Sequence, residues 1–189
     1  MKVARVTLSD RASAGVYVDK SGPEIERVFC EAWGAPVEFV AYLLPDERGA
    51  IAQTLRTACD EELCPLVITT GGTGPSARDV TPEATREVLE KELPGFGEAM
   101  RMLSFPKVPT AILSRATAGT RGRSLILNLP GNPRAIGECL PPLIPAIREQ
   151  EAILRRRLYC CLRLFQVTRQ SQHHLTFSPP RKQTSCRRR

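Results

Sequence analysis

Several features that mark common classes of protein are missing from this sequence of 189 residues. No apolar run approaches the roughly 20 residues that cross a bilayer, and the N-terminus has no long apolar signal core, so we expect a cytoplasmic protein without membrane contact. The seven cysteines include no Cys-x-x-Cys pair and their number is odd, which disfavours disulfides and a structural zinc site. We expect the cysteines of residues 1–150 to be small buried hydrophobes.

Acidic residues are almost absent from one end of the chain. The formal net charge of +7 by itself suggests a nucleic-acid binder. Residues 1–150, however, carry 17 basic and 19 acidic side chains, whereas residues 151–189 carry ten basic and one acidic. The positive charge therefore belongs to the tail, and nucleic acid is disfavoured as a partner of the rest. A nucleic-acid binder that uses the basic tail remains an alternative.

This division predicts a domain at residues 1–150 and a divergent, poorly ordered basic tail at 151–189, because helical periodicity also stops near residue 150. Three explanations of the tail stay open: a genuinely divergent or disordered segment, a shift of reading frame near residue 150, and a cloning artefact. We favour the shift of frame. We expect residues 160–189 to show little protection from hydrogen exchange or protease.

Short runs rich in β-branched residues alternate with segments of helical period in the first 150 residues. This pattern predicts βαβ units and an α/β fold with a mostly parallel sheet. The predicted strands are Val3–Leu8, Val37–Leu44, Leu66–Thr70 and Ser124–Leu129.

Each of three predicted helices follows a predicted strand. The first runs from the cap Ser21 to about Trp33 and stops at Gly34; the second runs from Asp46 to about Cys59; the third begins at the cap Thr81. Open α/β sheets bind ligands at the carboxyl ends of their strands. Loops 9–20, 45–47 and 71–81 should therefore meet in one cleft.

The most informative loop is Thr70-Gly71-Gly72-Thr73-Gly74, in which three glycines in four positions let bare N–H groups approach a phosphate. A tight turn that needs positive φ is the alternative explanation. The loop is neither a Walker A sequence nor GxGxxG, which excludes a P-loop protein and disfavours a dinucleotide fold. Arg78 and Asp79 follow closely, so the site suits a phosphorylated ligand and a divalent cation held by carboxylate oxygen.

Other strand ends carry candidates that also have structural explanations. Asp46 is a second carboxylate but is also placed as an ordinary N-cap, and Asp10 could be a turn residue. Ser114 and Arg115 could offer a hydroxyl and a cation to an anion, or form a surface pair. The turn Pro130-Gly131-Asn132-Pro133 precedes a further helix, with Asn132 as its cap and Pro133 as its first residue.

Taken together, ordered motifs resemble those of the molybdenum-cofactor biosynthesis family over about residues 3–149. Within that family the chain is similar to the molybdopterin adenylyltransferases, which are relatives of the gephyrin G domain. The motifs are Ser9-Asp10-Arg11, Leu44-Pro45-Asp46-Glu47, Thr70–Gly74 with Arg78–Thr85, Pro94-Gly95-Phe96-Gly97, Leu113-Ser114-Arg115 and Leu129–Pro133.

The resemblance implies adenylyl transfer from Mg-ATP to the terminal phosphate of molybdopterin, with release of pyrophosphate. It also implies a three-layer sandwich with a mostly parallel sheet between helical layers, a homotrimer and a molybdenum insertase as a possible partner. The implied catalytic and Mg²⁺-binding residues are Asp46 and Asp79. The implied molybdopterin-binding residues are Ser9, Asp10, Thr70, Gly71, Gly72, Thr73, Gly74, Ser114, Arg115, Pro130, Gly131, Asn132 and Pro133.

Two points qualify this resemblance. A non-catalytic molybdopterin-binding or scaffold protein of the same family is the alternative, although both aspartates are present here. Family members also continue after the helix at 133–149 with another strand and a Pro-Tyr-Cys turn. Tyr159-Cys160 is at best a relic of that turn.

Overall fold

The apolar, β-branched segments form one central sheet in the computed structural model, which describes the backbone of residues 1–172 and the side chains of residues 1–154. The strands are β1 (Lys2–Leu8), β2 (Glu38–Leu44), β3 (Leu66–Thr70), β4 (Lys91–Glu92), β5 (Ala118–Arg121) and β6 (Ser124–Leu129). They lie in the order β2-β1-β3-β6-β5-β4. The first four in this order are parallel, and β5 runs antiparallel to both of its neighbours, β6 and β4. The predicted mostly parallel α/β sheet is confirmed.

Helices cover both faces of the sheet, which gives the predicted three layers. They are α1 (Asp10–Ser13), α2 (Ser21–Trp33), α3 (Arg48–Arg56), α4 (Thr81–Val88), α5 (Gly95–Ser104) and α6 (Pro133–Gln172). Along β6, Leu125 and Leu127 pack with α2, α5 and α6, whereas Ile126 packs with α3 and α4. Because both faces are covered, β3 and β6 are buried along their whole length.

The edge formed by β4 and β5, together with α5, was not predicted. β4 has two residues and β5 has the sequence Ala-Gly-Thr-Arg, so neither shows an apolar alternation. β5 turns back into β6 at Gly122, whose φ is +54°. A continuous apolar strand such as β6 is visible in a sequence, while its short antiparallel partner is not.

Two of the predicted helix caps are wrong. Ser21 and Gly22 donate their N–H groups to Asp19 Oδ1 at 2.9 and 3.0 Å, so Asp19 rather than Ser21 satisfies the start of α2. The Thr81 hydroxyl donates to the Gly71 carbonyl instead of capping α4. The predicted stop at Gly34 is confirmed, since its φ of +66° is the left-handed conformation that ends helices.

The cysteines behave as predicted with one exception. Cys59, Cys64 and Cys139 are buried free thiols, whereas Cys30 on α2 is free and exposed. Burial raises the pKa of Cys59 to about 11, which keeps this thiol protonated.

The last helix is longer than predicted. α6 begins at Pro133 as expected but continues past residue 149 to Gln172, so the backbone is helical where the resemblance implied another strand. A compact unit spans Met1–Leu154, four residues beyond the predicted domain boundary. No helix within the described residues is long and apolar enough to cross a membrane. The lack of protection expected for residues 160–189 stays a prediction. The backbone of residues 160–172 is helical, and residues 173–189 lie outside the described part of the chain.

Candidate active site at the strand ends

Four loops meet at the carboxyl edge of the parallel strands. Because these strands lie in the order β2-β1-β3-β6, their loops follow the same order along the edge. Asp46 comes first, then Asp10, then the turn at Gly71–Gly74, and finally the turn at Pro130–Pro133. The sequence therefore placed these loops correctly at one edge, as the rule for open α/β sheets requires.

Asp10 and Asp46 hold each other across the ends of β1 and β2. The Asp10 N–H donates to Asp46 Oδ2 at 3.1 Å, and the Asp46 N–H donates to Asp10 Oδ1 at 3.0 Å. Asp46 does not cap α3, since that helix begins at Arg48 and Glu47 occupies the N-cap position. The alternative explanation of Asp46 as the N-cap of a helix is therefore wrong.

The second oxygen of Asp46 has no partner. Oδ1 is buried and accepts no hydrogen bond from any described residue. Burial raises the pKa of Asp46, and the negative charges of Asp10 and Asp79 act in the same direction. A buried anionic oxygen without a donor is unfavourable unless a cation satisfies it. Asp46 Oδ1 is therefore suited to a hard divalent cation.

The glycine turn lies against both predicted catalytic carboxylates. Gly71 has φ of +99°, and a Cβ there would clash with the Leu8 carbonyl. A Cβ on Gly72, whose φ is +59°, would lie 2.8 Å from Asp46 Oδ1, and one on Gly74 would lie 2.9 Å from Asp79 Oδ2. The glycines thus satisfy the structural explanation, and they also bring bare backbone up to the two acids.

Arg115 binds the backbone carbonyls of the glycine turn. Its backbone N–H donates to the Thr73 carbonyl at 2.9 Å, and its Nε donates to the Gly74 carbonyl at 2.8 Å. Its two terminal nitrogens donate to the Asp79 carbonyl and to Glu83 Oε1. Each of the three guanidinium nitrogens therefore donates to a protein group, and these hydrogen bonds hold the turn.

Arg78 is exposed and binds the carboxylates of Asp10 and Glu47. Its Nε and Nη2 donate to Asp10 Oδ2 and Oδ1 at 3.1 and 2.8 Å, and Nη2 also donates to Glu47 Oε1 at 3.0 Å. The hydrogen bonds from Arg78 hold the pKa of Asp10 below its usual value. Asp10 and Asp46 are thus neighbours whose pKa values are shifted in opposite directions.

The remaining predicted residues line or fix the loops. Thr70 Oγ1 donates to the Pro130 carbonyl at 2.7 Å and so ties the glycine turn to the next loop. Asn132 Oδ1 accepts the Arg134 N–H at 3.0 Å, which confirms it as the cap of α6, with Pro133 first in the helix. Ser9 Oγ accepts the Ala12 N–H and so caps α1.

A cavity of about 410 Å³ opens at the far end of the strand edge. It contains the predicted residues Ser114, Pro130 and Asn132. The other lining residues come from α5, the adjoining 3-10 turn Pro109–Leu113 and α6: Met100, Arg101, Ser104, Lys107, Val108, Thr110, Ala111, Arg134, Ala135, Glu138 and Cys139. Most of these were missed, because the sequence did not predict α5 or the turn that follows it.

Asn128 was also missed. This buried residue on β6 donates from Nδ2 to the hydroxyls of Thr69 and Thr85, both at 2.9 Å. It thereby joins β3 and β6 to α4, the helix that follows the Asp79 loop. A single amide inside the apolar run Ser124–Leu129 was the signal that could have revealed it.

Comparisons with known proteins agree with this geometry. A family model described as a probable molybdopterin binding domain matches residues 4–149. A molybdopterin adenylyltransferase of Helicobacter pylori is 56% identical over 142 residues, which are 75% of this chain and 81% of that protein. One of Escherichia coli is 52% identical over 140 residues, 74% of this chain and 72% of that protein.

The fold is similar to that of solved structures as well. The molybdopterin biosynthesis enzyme MoaB of Thermus thermophilus is 43% identical, with a TM-score of 0.72 over 80% of this chain and 96% of that chain. The resemblance carried by the strand-end motifs is thus confirmed, and this chain belongs to the molybdopterin-binding family of molybdenum-cofactor biosynthesis.

Proposed function

We propose that this protein transfers the adenylyl group of ATP to the phosphate of molybdopterin, giving adenylyl-molybdopterin and pyrophosphate. Its relatives named molybdopterin adenylyltransferase, at 52–56% identity, support this activity. The structural observation that carries it is the buried, unpartnered Oδ1 of Asp46 beside the glycine turn. That oxygen gives an otherwise anion-binding edge a place for the cation that accompanies a nucleotide.

In the proposed reaction an oxygen of the molybdopterin phosphate attacks the α-phosphorus of ATP. The bond between that phosphorus and the oxygen bridging to the β-phosphate breaks, and pyrophosphate leaves with the electron pair. The attacking oxygen is already anionic, so no residue has to remove a proton from it. This agrees with a chain whose only histidines, His173 and His174, lie in the tail. The main task is then to bring two polyanions together in line.

Asp46 and Asp79 are the residues that we assign to Mg²⁺. Asp46 offers Oδ1, while Asp79 accepts the Ser76 N–H at 2.9 Å through Oδ2 and faces the same turn. Carboxylate oxygens are the protein ligands that Mg²⁺ prefers beside nucleotide phosphates, and the bound ion would supply neutralisation of their charge.

The remaining predicted site residues are assigned to molybdopterin. The turn Gly71–Gly74 lies between the acids and the cavity, and we assign its N–H groups to the phosphate of molybdopterin. Thr70 and the turn Pro130–Pro133 lie between the glycine turn and the cavity. Ser114 lines the cavity, and Ser9 lies at the start of α1. Asp10 and Arg115 contribute by holding the loops, since their side chains bind protein groups.

A homotrimer, transfer of the product to a molybdenum insertase and a location in the cytoplasm belong to the same proposal. The four free cysteines of residues 1–154 support a reducing compartment. Exposed apolar side chains on and after α5 support a protein contact there: Met102, Leu103, Phe105, Val108, Ile112 and Leu113. Light scattering on the purified protein measures its oligomeric state.

The decisive experiment incubates the purified full chain with molybdopterin and ATP and detects adenylylated pterin by mass. We expect product with Mg²⁺ and none in excess chelator. Product at an unchanged level in chelator would refute the metal assignment. Tight pterin binding without product at any metal concentration would favour the non-catalytic binding or scaffold protein instead.

A further inference from the structure

Arg78 is the residue of this edge whose purpose the proposed reaction leaves open. We propose that Arg78 is a positioning residue, which acts through Asp10 to hold the Asp46 carboxylate so that its Oδ1 keeps no protein donor and can serve as a ligand of the metal ion. The inference rests on the proposed function, because it concerns the carboxylate assigned to Mg²⁺. It assigns Arg78 no contact of its own with substrate.

The first step is that Arg78 fixes the side chain of Asp10. Two nitrogens of one guanidinium donate to the two oxygens of one carboxylate, at 3.1 and 2.8 Å. This two-point geometry sets the rotation of the carboxylate as well as its position. The third hydrogen bond, to Glu47 at 3.0 Å, ties the same guanidinium to the loop that carries Asp46.

The second step is that Asp10 fixes Asp46. Asp10 Oδ1 accepts from Arg78 and from the Asp46 N–H at once, so the same oxygen joins the arginine to the Asp46 backbone. In return the Asp10 N–H binds Asp46 Oδ2 at 3.1 Å. With its peptide and one oxygen held, the Asp46 carboxylate has one orientation, which leaves Oδ1 beside Gly72 without a donor.

Exposure excludes stability as the main reason for this arrangement. The side chains of Arg78, Asp10 and Glu47 are 56%, 43% and 59% exposed. Ion pairs this exposed contribute little to the free energy of unfolding. Residues that orient metal ligands, by contrast, typically change metal affinity about 10- to 100-fold when they are removed.

The test compares Mn²⁺ binding to the ligand-free full chain, followed by the relaxation of water protons. We expect Arg78→Gln and Asp10→Ala to weaken Mn²⁺ affinity about tenfold or more, whereas the melting temperature of Arg78→Gln should change only slightly. Arg86→Gln is the matched control. Arg86 is 47% exposed, and its Nε donates to Glu92 Oε1 at 3.0 Å, in an ion pair that does not involve Asp10 or Asp46. It should bind Mn²⁺ like the unmodified protein.

Asp46→Asn separates failure of this inference from failure of the proposed site. If Asp46→Asn binds Mn²⁺ normally, the metal assignment itself is wrong. If Asp46→Asn loses Mn²⁺ while Arg78→Gln binds it normally, only the positioning role is overturned. The same conclusion follows if Arg78→Gln weakens binding of metal-free ATP and leaves Mn²⁺ affinity intact, since Arg78 would then contact phosphate directly.

Discussion

The two ends of the strand edge differ in charge, although the same sheet builds both. At the β2 and β1 end the carboxylates of Asp10, Asp46 and Glu47 outnumber the one guanidinium that binds there, that of Arg78. Asp79, in the loop after β3, adds a fourth carboxylate, and both Asp46 and Asp79 face the glycine turn. At the β6 end the cavity is lined by Arg101, Lys107 and Arg134 against a single acid, Glu138. An acidic end suits a cation and the nucleotide it accompanies, and a basic end suits an anionic pterin.

The difference explains how a body with nearly balanced charge can capture two polyanions. Residues 1–150 carry 17 basic and 19 acidic side chains, so no large positive field attracts ligands from a distance. Charge is instead sorted locally along one edge, and the uncharged turn at Gly71–Gly74 lies between the two kinds of site. The two phosphate groups that react would therefore meet over bare backbone.

The largest predicted effect comes from neutralising the acidic end. Asp46→Asn and Asp79→Asn should each lower the rate of adenylylation by about a thousandfold or more, which in practice abolishes it. The reason is that the charge that holds Mg²⁺ is lost. Molybdopterin binding should stay measurable, since the basic end is untouched. Mass detection of product and pterin titration measure the two quantities.

The matched control is Asp60→Asn, which removes a carboxylate paired with Arg121 outside the site. It should keep full turnover. Full turnover in both Asp46→Asn and Asp79→Asn would contradict the assignment of charge to function at this end.

The next effect comes from filling the turn between the ends. Gly72 and Gly122 have similar φ values, +59° and +54°, but a Cβ at Gly72 meets Asp46 and Thr81 while one at Gly122 meets nothing within 4 Å. Gly122→Ala should therefore cost only the backbone strain, about 1 kcal/mol. Gly72→Ala should cost more and also lower turnover at least tenfold. Denaturant unfolding and product formation measure both, and equal losses in the two variants would show that the turn is only structural.

A smaller effect is expected at the basic end. Lys107 and Arg134 are exposed and lie 3.5 and 3.6 Å from Glu138, so each charge is partly balanced and screened by solvent. Replacing both with Gln should weaken molybdopterin binding severalfold, less so at high salt, and leave Mn²⁺ binding intact. Arg48→Gln with Arg56→Gln, at the exposed pairs with Glu87, is the control. Loss of Mn²⁺ binding in the cavity variant would contradict the assignment of the cation to the acidic end alone.

The acidic end was easier to predict from sequence than the basic end. Its residues follow long apolar strands directly, so the topology of a parallel sheet fixes where Asp10, Asp46 and the glycine turn must lie. The cavity depends on α5 and the 3-10 turn Pro109–Leu113. α5 is amphipathic like the other helices, but it follows the two-residue strand β4 instead of a long apolar strand, so no strand end indicated where it lies. A site on strand ends is therefore visible earlier than one between helices.

Side-chain roles were harder to predict than positions. Arg115 follows an apolar segment, as an anion-binding residue would, yet its guanidinium is used on the Gly74 and Asp79 carbonyls and on Glu83. Asp46 precedes α3, as a cap would, yet it bonds with Asp10. Both outcomes depend on partners more than thirty residues away, and such contacts cannot be inferred from local spacing.

The smallest effect separates the two neighbouring acids by their response to pH. Burial raises the pKa of Asp46 in the folded state, so its charge opposes folding at neutral pH, and this cost disappears as pH falls through that pKa. Hydrogen bonds from Arg78 lower the pKa of Asp10, so its charge favours folding at neutral pH, and this gain is lost as pH falls. Asp46→Asn should therefore be more stable than the unmodified protein at pH 7, and Asp10→Asn less stable. Both differences should shrink towards roughly pH 4 and below, where aspartates protonate. Denaturant unfolding between pH 7 and this acid range measures them, and shifts of the same sign in both variants would show that the two carboxylates do not differ as their contacts indicate.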